Sequence, residues 1–370
     1  MSKPKLIAFY LPQFHPTPEN NEWWGNGFTE WTNVAKAKAL FPGHMQPKIP
    51  KDLGFYDLRL PESRAAQAEL AKEAGVSAFC YYHYWFEGKQ ILNRPFDEVL
   101  KLGEPDFPFC LAWANHDWYK NHWTTNNKSV AEKSVLLLKQ TYGGVEEYTN
   151  HFYACLNAFK DKRYFKINGK NVFVIYNPFG FNDAGTFMDT WRRLAAKENI
   201  ADFFFITHIY DVFRIGEYER LLASGYDAVN ISLHRAPFDS ERNFNNTLFS
   251  KIKYHLRSKI SLKAEVVDYS EALEYLDNKI FEEEKVFPTL IPNWDHTPRS
   301  GKFGRVLHNC TPELFGKHID QILKRIQNKK EANQIIFLKS WNEWGEGNYV
   351  EPDLVNGKGY IYELAKRFKD

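Results

Sequence analysis

Eight short apolar runs, most of them followed by a stretch of helical periodicity, limit what this chain can fold into more than any other feature. The runs are Leu6–Tyr10, Ala78–Tyr82, Phe109–Trp113, Val172–Tyr176, Phe203–Thr207, Ala228–Ile231, Phe287–Ile291 and Gln334–Leu338. Several are continuously apolar rather than alternating, which suits parallel strands covered outside by helices. The spacing predicts helices over Ser63–Ala74, with a Ser cap and a stop at Gly75, and over Glu146–Phe159, Thr186–Glu198 and Glu217–Ala223. Further helices are expected over Glu271–Asn278, Pro312–Gln327 and Tyr360–Phe368. Strand followed by helix eight times over is the pattern of an α/β fold, a (β/α)8 TIM barrel with long loops on its C-terminal face. A doubly wound open sheet is the runner-up, but no Gly-rich dinucleotide fingerprint follows the first strand.

The length of 370 residues is within reach of one such barrel with extended loops. No break in composition and no internal repeat appears, so residues 1–370 are expected to form one catalytic domain. The long segments Pro12–Pro61, Ala114–Val145 and Leu233–Val286 fall after strands one, three and six. In a barrel that places them on the face where active sites sit.

Lys and Arg number 48 against 46 Asp and Glu, a net charge of +2. That near-balance argues against a nucleic-acid partner, which would require a basic surface to replace counterions. Basic residues cluster once, at Lys251, Lys253, Arg257, Lys259 and Lys263. This stretch reads either as a solvated helix face or as a patch for an anionic lipid headgroup or phosphate, hence as a peripheral membrane contact. The first apolar run is too short for a signal-peptide core, and no run reaches the length of a transmembrane segment. The four cysteines are far apart and form no metal spacing among themselves. A cytoplasmic protein without disulfides, metal or cofactor is expected.

Aromatic residues make up 16% of the chain, with 11 Trp and 20 Tyr. The polar atoms of so many Trp and Tyr need partners, so many of these rings are expected on a binding surface. Trp191, on a helix, reads as core, as does Tyr81. Trp23 and Trp24 are adjacent in a polar loop.

The strand ends carry the candidate site. Strand one supplies Tyr10, Gln13 and His15, and its loop Trp24, Glu30 and Trp31. Strand two supplies Tyr82, His83 and Trp85, and strand three Trp113, Asn115, Asp117 and Trp118. Tyr176 ends strand four, and His208 follows from strand five. Trp294 and Asp295 follow strand seven; Trp341, Asn342 and Trp344 follow strand eight. Flat rings mixed with amides, carboxylates and imidazoles suit a sugar, which offers an apolar C–H face and a ring of hydroxyls. An oligosaccharide or lipid-linked glycan is the expected partner.

Glu343 and Glu346 lie three apart just after strand eight. In a helical turn both point the same way. Crowding by indoles can raise one carboxyl pKa while a neighbouring charge drives the pair apart. Glycosidic-bond chemistry requires one protonated and one ionised carboxyl. Catalysis is therefore assigned to Glu343 and Glu346, against the plainer reading of two acids at a helix start.

The stretches Phe9–His15, Glu22–Gly25, Gly27–Val34, Phe79–Phe86 and Trp341–Trp344 resemble the WbsX family, which is similar to the family 99 glycoside hydrolases, the endo-α-mannosidases. The resemblance runs nearly end to end. It implies a retaining, metal-independent (β/α)8 enzyme of bacterial O-antigen or capsule synthesis. It further implies that Glu343 is the base on a sugar 2-hydroxyl, giving a 1,2-anhydro sugar, and that Glu346 is the acid and later the base at the leaving group. Many members of that family carry the label glycosyltransferase. Two departures stand out. Many relatives have Asn-Glu at Asn115-His116, and Ala is common at Gly345. Three functions follow as expectations: a hydrolase or transglycosidase acting on an α-linked glycan, a glycosyltransferase of surface-polysaccharide assembly, and a non-catalytic glycan-binding barrel.

Overall fold

The computed structural model describes residues 3–120, 135–243 and 264–369. Its centre is a closed parallel barrel of β1 (Lys5–Tyr10), β2 (Ala78–Phe86), β3 (Phe109–Trp113), β4 (Lys170–Ile175), β5 (Phe203–Ile209), β6 (Ala228–Ile231), β7 (Val286–Leu290) and β8 (Ile335–Leu338). Each strand pairs in parallel with its sequence neighbours, and β1 closes the ring on β8, with Ala8 opposite Leu338. The expected order is the observed one, and every strand core coincides with one of the expected runs. β2 runs four residues past its expected end, and β5 two.

One helix follows each strand: α1 (Pro61–Ala74), α2 (Arg94–Leu102), α3 (Gly144–Lys160), α4 (Ala184–Lys197), α5 (Tyr218–Ala223), α6 (Tyr269–Leu276), α7 (Pro312–Ile326) and α8 (Gly359–Phe368). The sequence reading had no α2. It also put the start of α1 at a Ser63 cap, and this is corrected: the cap position is Leu60, with no side-chain hydrogen bond, and Pro61 opens the helix with its φ already set. Gly75 ends α1 in the left-handed conformation, as expected. Short helices also form in the loops, Pro18–Trp24 and Glu30–Lys36 after β1 and Ala236–Asn243 after β6.

Side chains alternate across the strands. Phe9 fills the barrel interior, stacked on Tyr82 at 5.4 Å and Phe337 at 5.2 Å and edge-on to His208 at 5.7 Å. The intervening residues face the helices: the Tyr10 hydroxyl donates to Gln67 of α1, and Trp113 packs on Phe187 of α4.

Cys80, Cys110, Cys155 and Cys310 are all free thiols. Among the described residues no helix is long and apolar enough to cross a membrane. The Lys251–Lys263 basic stretch lies outside the described residues.

Candidate active site

The loop after β8 turns back on itself. Asn342 and Glu343 pair antiparallel with Asn348 and Tyr349, and Trp344–Glu346 forms a single 3-10 turn between them. That turn directs Glu343 and Glu346 to one cation. The Arg299 guanidinium, from the short helix Thr297–Ser300 after β7, donates through Nη1 to Glu346 Oε1 and lies 3.4 Å from Glu343 Oε1. Through Nε and Nη2, each 3.3 Å away, it also holds Glu30 Oε2. Glu343 Oε2 accepts from Ser340 Oγ at 3.0 Å and lies 3.4 Å from Lys339 Nζ. Trp294 Nε1 donates to Glu346 Oε2 at 3.3 Å, and His296 Nε2 stands 3.6 Å from Oε1.

Three carboxylates therefore share two buried cations. Burial pushes the Glu30 carboxyl up to about 7, with Arg299 opposing. Burial also favours the neutral form of Glu346, but Arg299 first, then Lys339, His296 and His234, outweigh it and hold that carboxyl well below the usual range. The expectation that crowding by indoles would raise a pKa in this pair does not hold for Glu346, because Arg299 and Lys339 were not foreseen. Glu346 is the open member, its side chain 16% exposed against 7% for Glu343 and none for Glu30.

Gly345 is the seat for Glu30. A Cβ there would lie 1.8 Å from Glu30 Oε2 and 3.1 Å from Arg299 Nε. Gly347 adopts φ +51°, and a Cβ on it would meet Asp295 at 2.8 Å. Both glycines are needed for the close approach of the turn to its neighbours.

Beside the acids stand inward-facing groups. Tyr176 stacks on His208 at 4.8 Å and on Tyr210 at 5.8 Å. His208 Nδ1 is bound to Asn230 Oδ1 at 2.6 Å, so its Nε2 is an acceptor without a protein partner among the described residues. Tyr82 lies within electrostatic range of Glu343, Glu346 and Tyr176. Gln13 reaches Tyr84 Oη at 3.1 Å. Farther out, half-buried Trp24 lies 5.8 Å from Phe28 and under Lys120, and Trp118 packs among Trp23, Tyr84 and Phe86. Asp117 is half-buried and accepts from Gln140 N and Tyr119 Oη.

Other expected sugar contacts lie elsewhere. Tyr10, His83, Trp85 and Trp113 face the helices, because period-two alternation turns them out of the barrel. Trp31, Trp341 and Trp344 are buried in the core. The expectation that many of the rings line a binding surface fails for these, because four of the indole N–H groups find partners inside. Trp31 Nε1 donates to Tyr56 O, Trp113 Nε1 to Trp85 O, Trp85 Nε1 to Glu147 and Trp344 Nε1 to Glu351 Oε2. Trp191 is core as expected, donating to Tyr148 O.

His15 is buried, and burial pushes its imidazole down to about 4. Asn115 exchanges hydrogen bonds with the Asn177 backbone, and Asn342 with that of Leu11, so both amides tie loops rather than await a ligand. Asp295 is saturated by His44, Gln46 and Thr297. His296 stood among the residues read at the end of strand seven, whereas Arg299, Lys339 and Ser340 were missed. They carry no motif of their own, and only the fold brings them to the acids.

A family model described as "Glycosyltransferase WbsX" matches residues 6–364. Two curated relatives, each described as "Uncharacterized protein WxcX" and from two strains of Xanthomonas campestris pv. campestris, are 30% identical over 361 residues. The match takes in 96% of this chain and 48% of each relative, so the chain spans about half the length of the curated relatives it matches. Among solved structures, a "Glycoside hydrolase-like protein" superposes with a TM-score of 0.60 at 15% identity, covering 100% of this chain and 95% of that one. The GH99 endo-alpha-mannosidase from Bacteroides thetaiotaomicron, in complex with BIS-TRIS-propane, gives 0.56 at 14% identity, covering 99% and 96%. At those identities the likeness is one of fold.

Proposed function

This chain belongs to the WbsX glycosyltransferase family, and we propose that it acts on an α-glycosidic bond of a bacterial surface glycan as a retaining hydrolase or transglycosidase. One observation carries the reading: Glu343 and Glu346 converge on Arg299 at the mouth of the barrel, with Glu346 partly exposed. In this reading Glu343, held by Ser340 and Lys339, accepts the proton of a sugar 2-hydroxyl. That oxygen then attacks the anomeric carbon and forms the 1,2-anhydro sugar as the leaving oxygen departs. Glu346 protonates the leaving oxygen and later removes a proton from the incoming acceptor. Tyr176, half-buried beside the acids, offers a flat face for the sugar ring.

Arg299 grips Glu346 and favours its charged form. An acid role requires that the substrate loosen this grip, and Arg299 already has a second carboxylate, Glu30, to move toward. The glycosyltransferase reading is favoured by the family's own description and by the two buried cations, which would also suit a phosphate leaving group.

Mass spectrometry of products from a panel of α-mannosides and α-rhamnosides, with and without nucleotide sugars, separates the two. Hydrolysis or transfer without a nucleotide sugar is expected. Glu343→Gln and Glu346→Gln should each lower turnover by about 10²–10⁴-fold in a folded protein. Turnover only with an activated donor would establish the second reading. Full activity in both variants would dismiss the glutamate pair.

A further inference from the structure

Away from the barrel mouth, His83, His151 and Cys155 meet in the interface between β2 and α3, all buried. We propose that these three side chains form a site for a thiophilic divalent cation of the zinc class, pinning α3 to β2.

The arrangement follows from two periodicities. His151 and Cys155 are four apart on α3 and share a helix face. His83 is one of the outward residues of β2, between inward-facing Tyr82 and Tyr84. The His83 and His151 Nε2 atoms are 2.8 Å apart, and Cys155 Sγ is 3.6 Å from His83 Nε2. All three atoms lie within 4.8 Å of one another. Zinc with bonds of about 2.0–2.1 Å to nitrogen and about 2.3 Å to sulfur sets ligand separations of about 3.3 Å and about 3.5 Å in a tetrahedron. The Cys155–His83 distance already fits, the imidazoles need part by about half an ångström, and Cys155 and His151, within 4.8 Å, close onto the ion by a rotation of the thiol.

The donor set also suits such a cation. Two imidazoles facing each other through Nε2 cannot both be protonated there, so one already presents a lone pair. A thiolate and two imidazoles select zinc-like ions over magnesium or calcium. A fourth ligand has room: a cavity of about 30 Å³ is lined by His83, Cys155, Asn93 and Asp97. It can hold a water molecule. Asp97, exposed at the edge of that cavity, marks an entry with negative charge. On binding, the Cys155 thiol proton leaves to solvent and the imidazole that carried its proton on Nε2 shifts it to Nδ1. One proton is released for each ion bound.

The site is independent of any glycan activity and is tested without it. The full chain is stripped with a chelator and titrated with Co²⁺ and then Zn²⁺. One equivalent of Co²⁺ should give a thiolate-to-cobalt charge-transfer band that Zn²⁺ abolishes, with about one proton released per ion by calorimetry in two buffers. Cys155→Ser should remove the band, and His83→Ala should weaken binding about a hundredfold or more. A folded wild-type chain giving no such band, or a band undiminished in Cys155→Ser, overturns the proposal and leaves the two imidazoles as a hydrogen-bonded pair.

Discussion

At the scale of single residues, Arg299 decides the character of the site. Its one positive charge bridges three acidic side chains, Glu30, Glu343 and Glu346, that would otherwise meet with only Lys339 between them and mutual repulsion. Breaking a buried ion pair by removing one partner costs about 3–5 kcal/mol, because the other charge stays buried. Arg299→Met should therefore lower stability by about that amount at neutral pH. The loss should shrink toward pH 5, where the Glu346 carboxyl, freed from the cation that depresses it, takes up a proton. Urea denaturation at both pH values measures this, and an equal loss at each would contradict the shared-cation account.

Glu30 and Glu351 give a second pH effect, with its sign fixed. Burial pushes both carboxyls up to about 7, from an ordinary value of 4.5. A carboxyl whose folded-state pKa is raised supports the fold fully below its unfolded value and loses that support as pH rises through the folded one. For Glu30 the gap corresponds to on the order of 3 kcal/mol. The denaturation midpoint of the wild-type chain should fall between about pH 5 and about pH 8, and less steeply in Glu30→Gln. A flat midpoint over that range in the wild type would show that these groups ionise in the fold as they do in water.

At the scale of elements, the strands were legible because each is a short apolar run, and apolarity on both faces is what a covered parallel strand requires. Helix α2 was not. Its signals are present, Pro95 in the first turn and left-handed Gly103 just past the end, but they bracket only nine residues. The site was half legible. The acids after β8 stand out because they sit in one run with Trp341 and Trp344, whereas Arg299 and Lys339 are lone residues whose meaning comes from the turn geometry. The rings misled, since sequence alone does not show whether an indole N–H will find a backbone carbonyl in the core.

Gly75 tests an element boundary. It ends α1 at φ +79°, and a Cβ there would lie 2.6 Å from the backbone of Phe368 and Lys369 at the end of α8. Gly75→Ala should cost at least about 1–2 kcal/mol from left-handed strain alone, and more from the clash. Thermal melting that leaves the midpoint unchanged would mean that the α1–α8 contact is looser than described.

At the scale of the whole molecule, a closed barrel has no edge at which unfolding can stop, so its outer helices are not optional. Helix α8 packs on α1 and α7 and buries Tyr360, Ile361, Leu364 and Phe368. Full burial of a large apolar side chain contributes about 1.5–3 kcal/mol, so these four together supply about 6–12 kcal/mol. That is comparable with the entire net stability of a typical domain, about 5–15 kcal/mol. Removing residues 359–370 should therefore abolish the cooperative thermal transition and expose the strand faces, rather than fray one end. Circular dichroism melting with dye binding to exposed apolar surface reports both. A truncated chain that still melts cooperatively within a few degrees of the full one would show that barrel closure between β1 and β8 alone holds the fold, with α8 only an ornament on it.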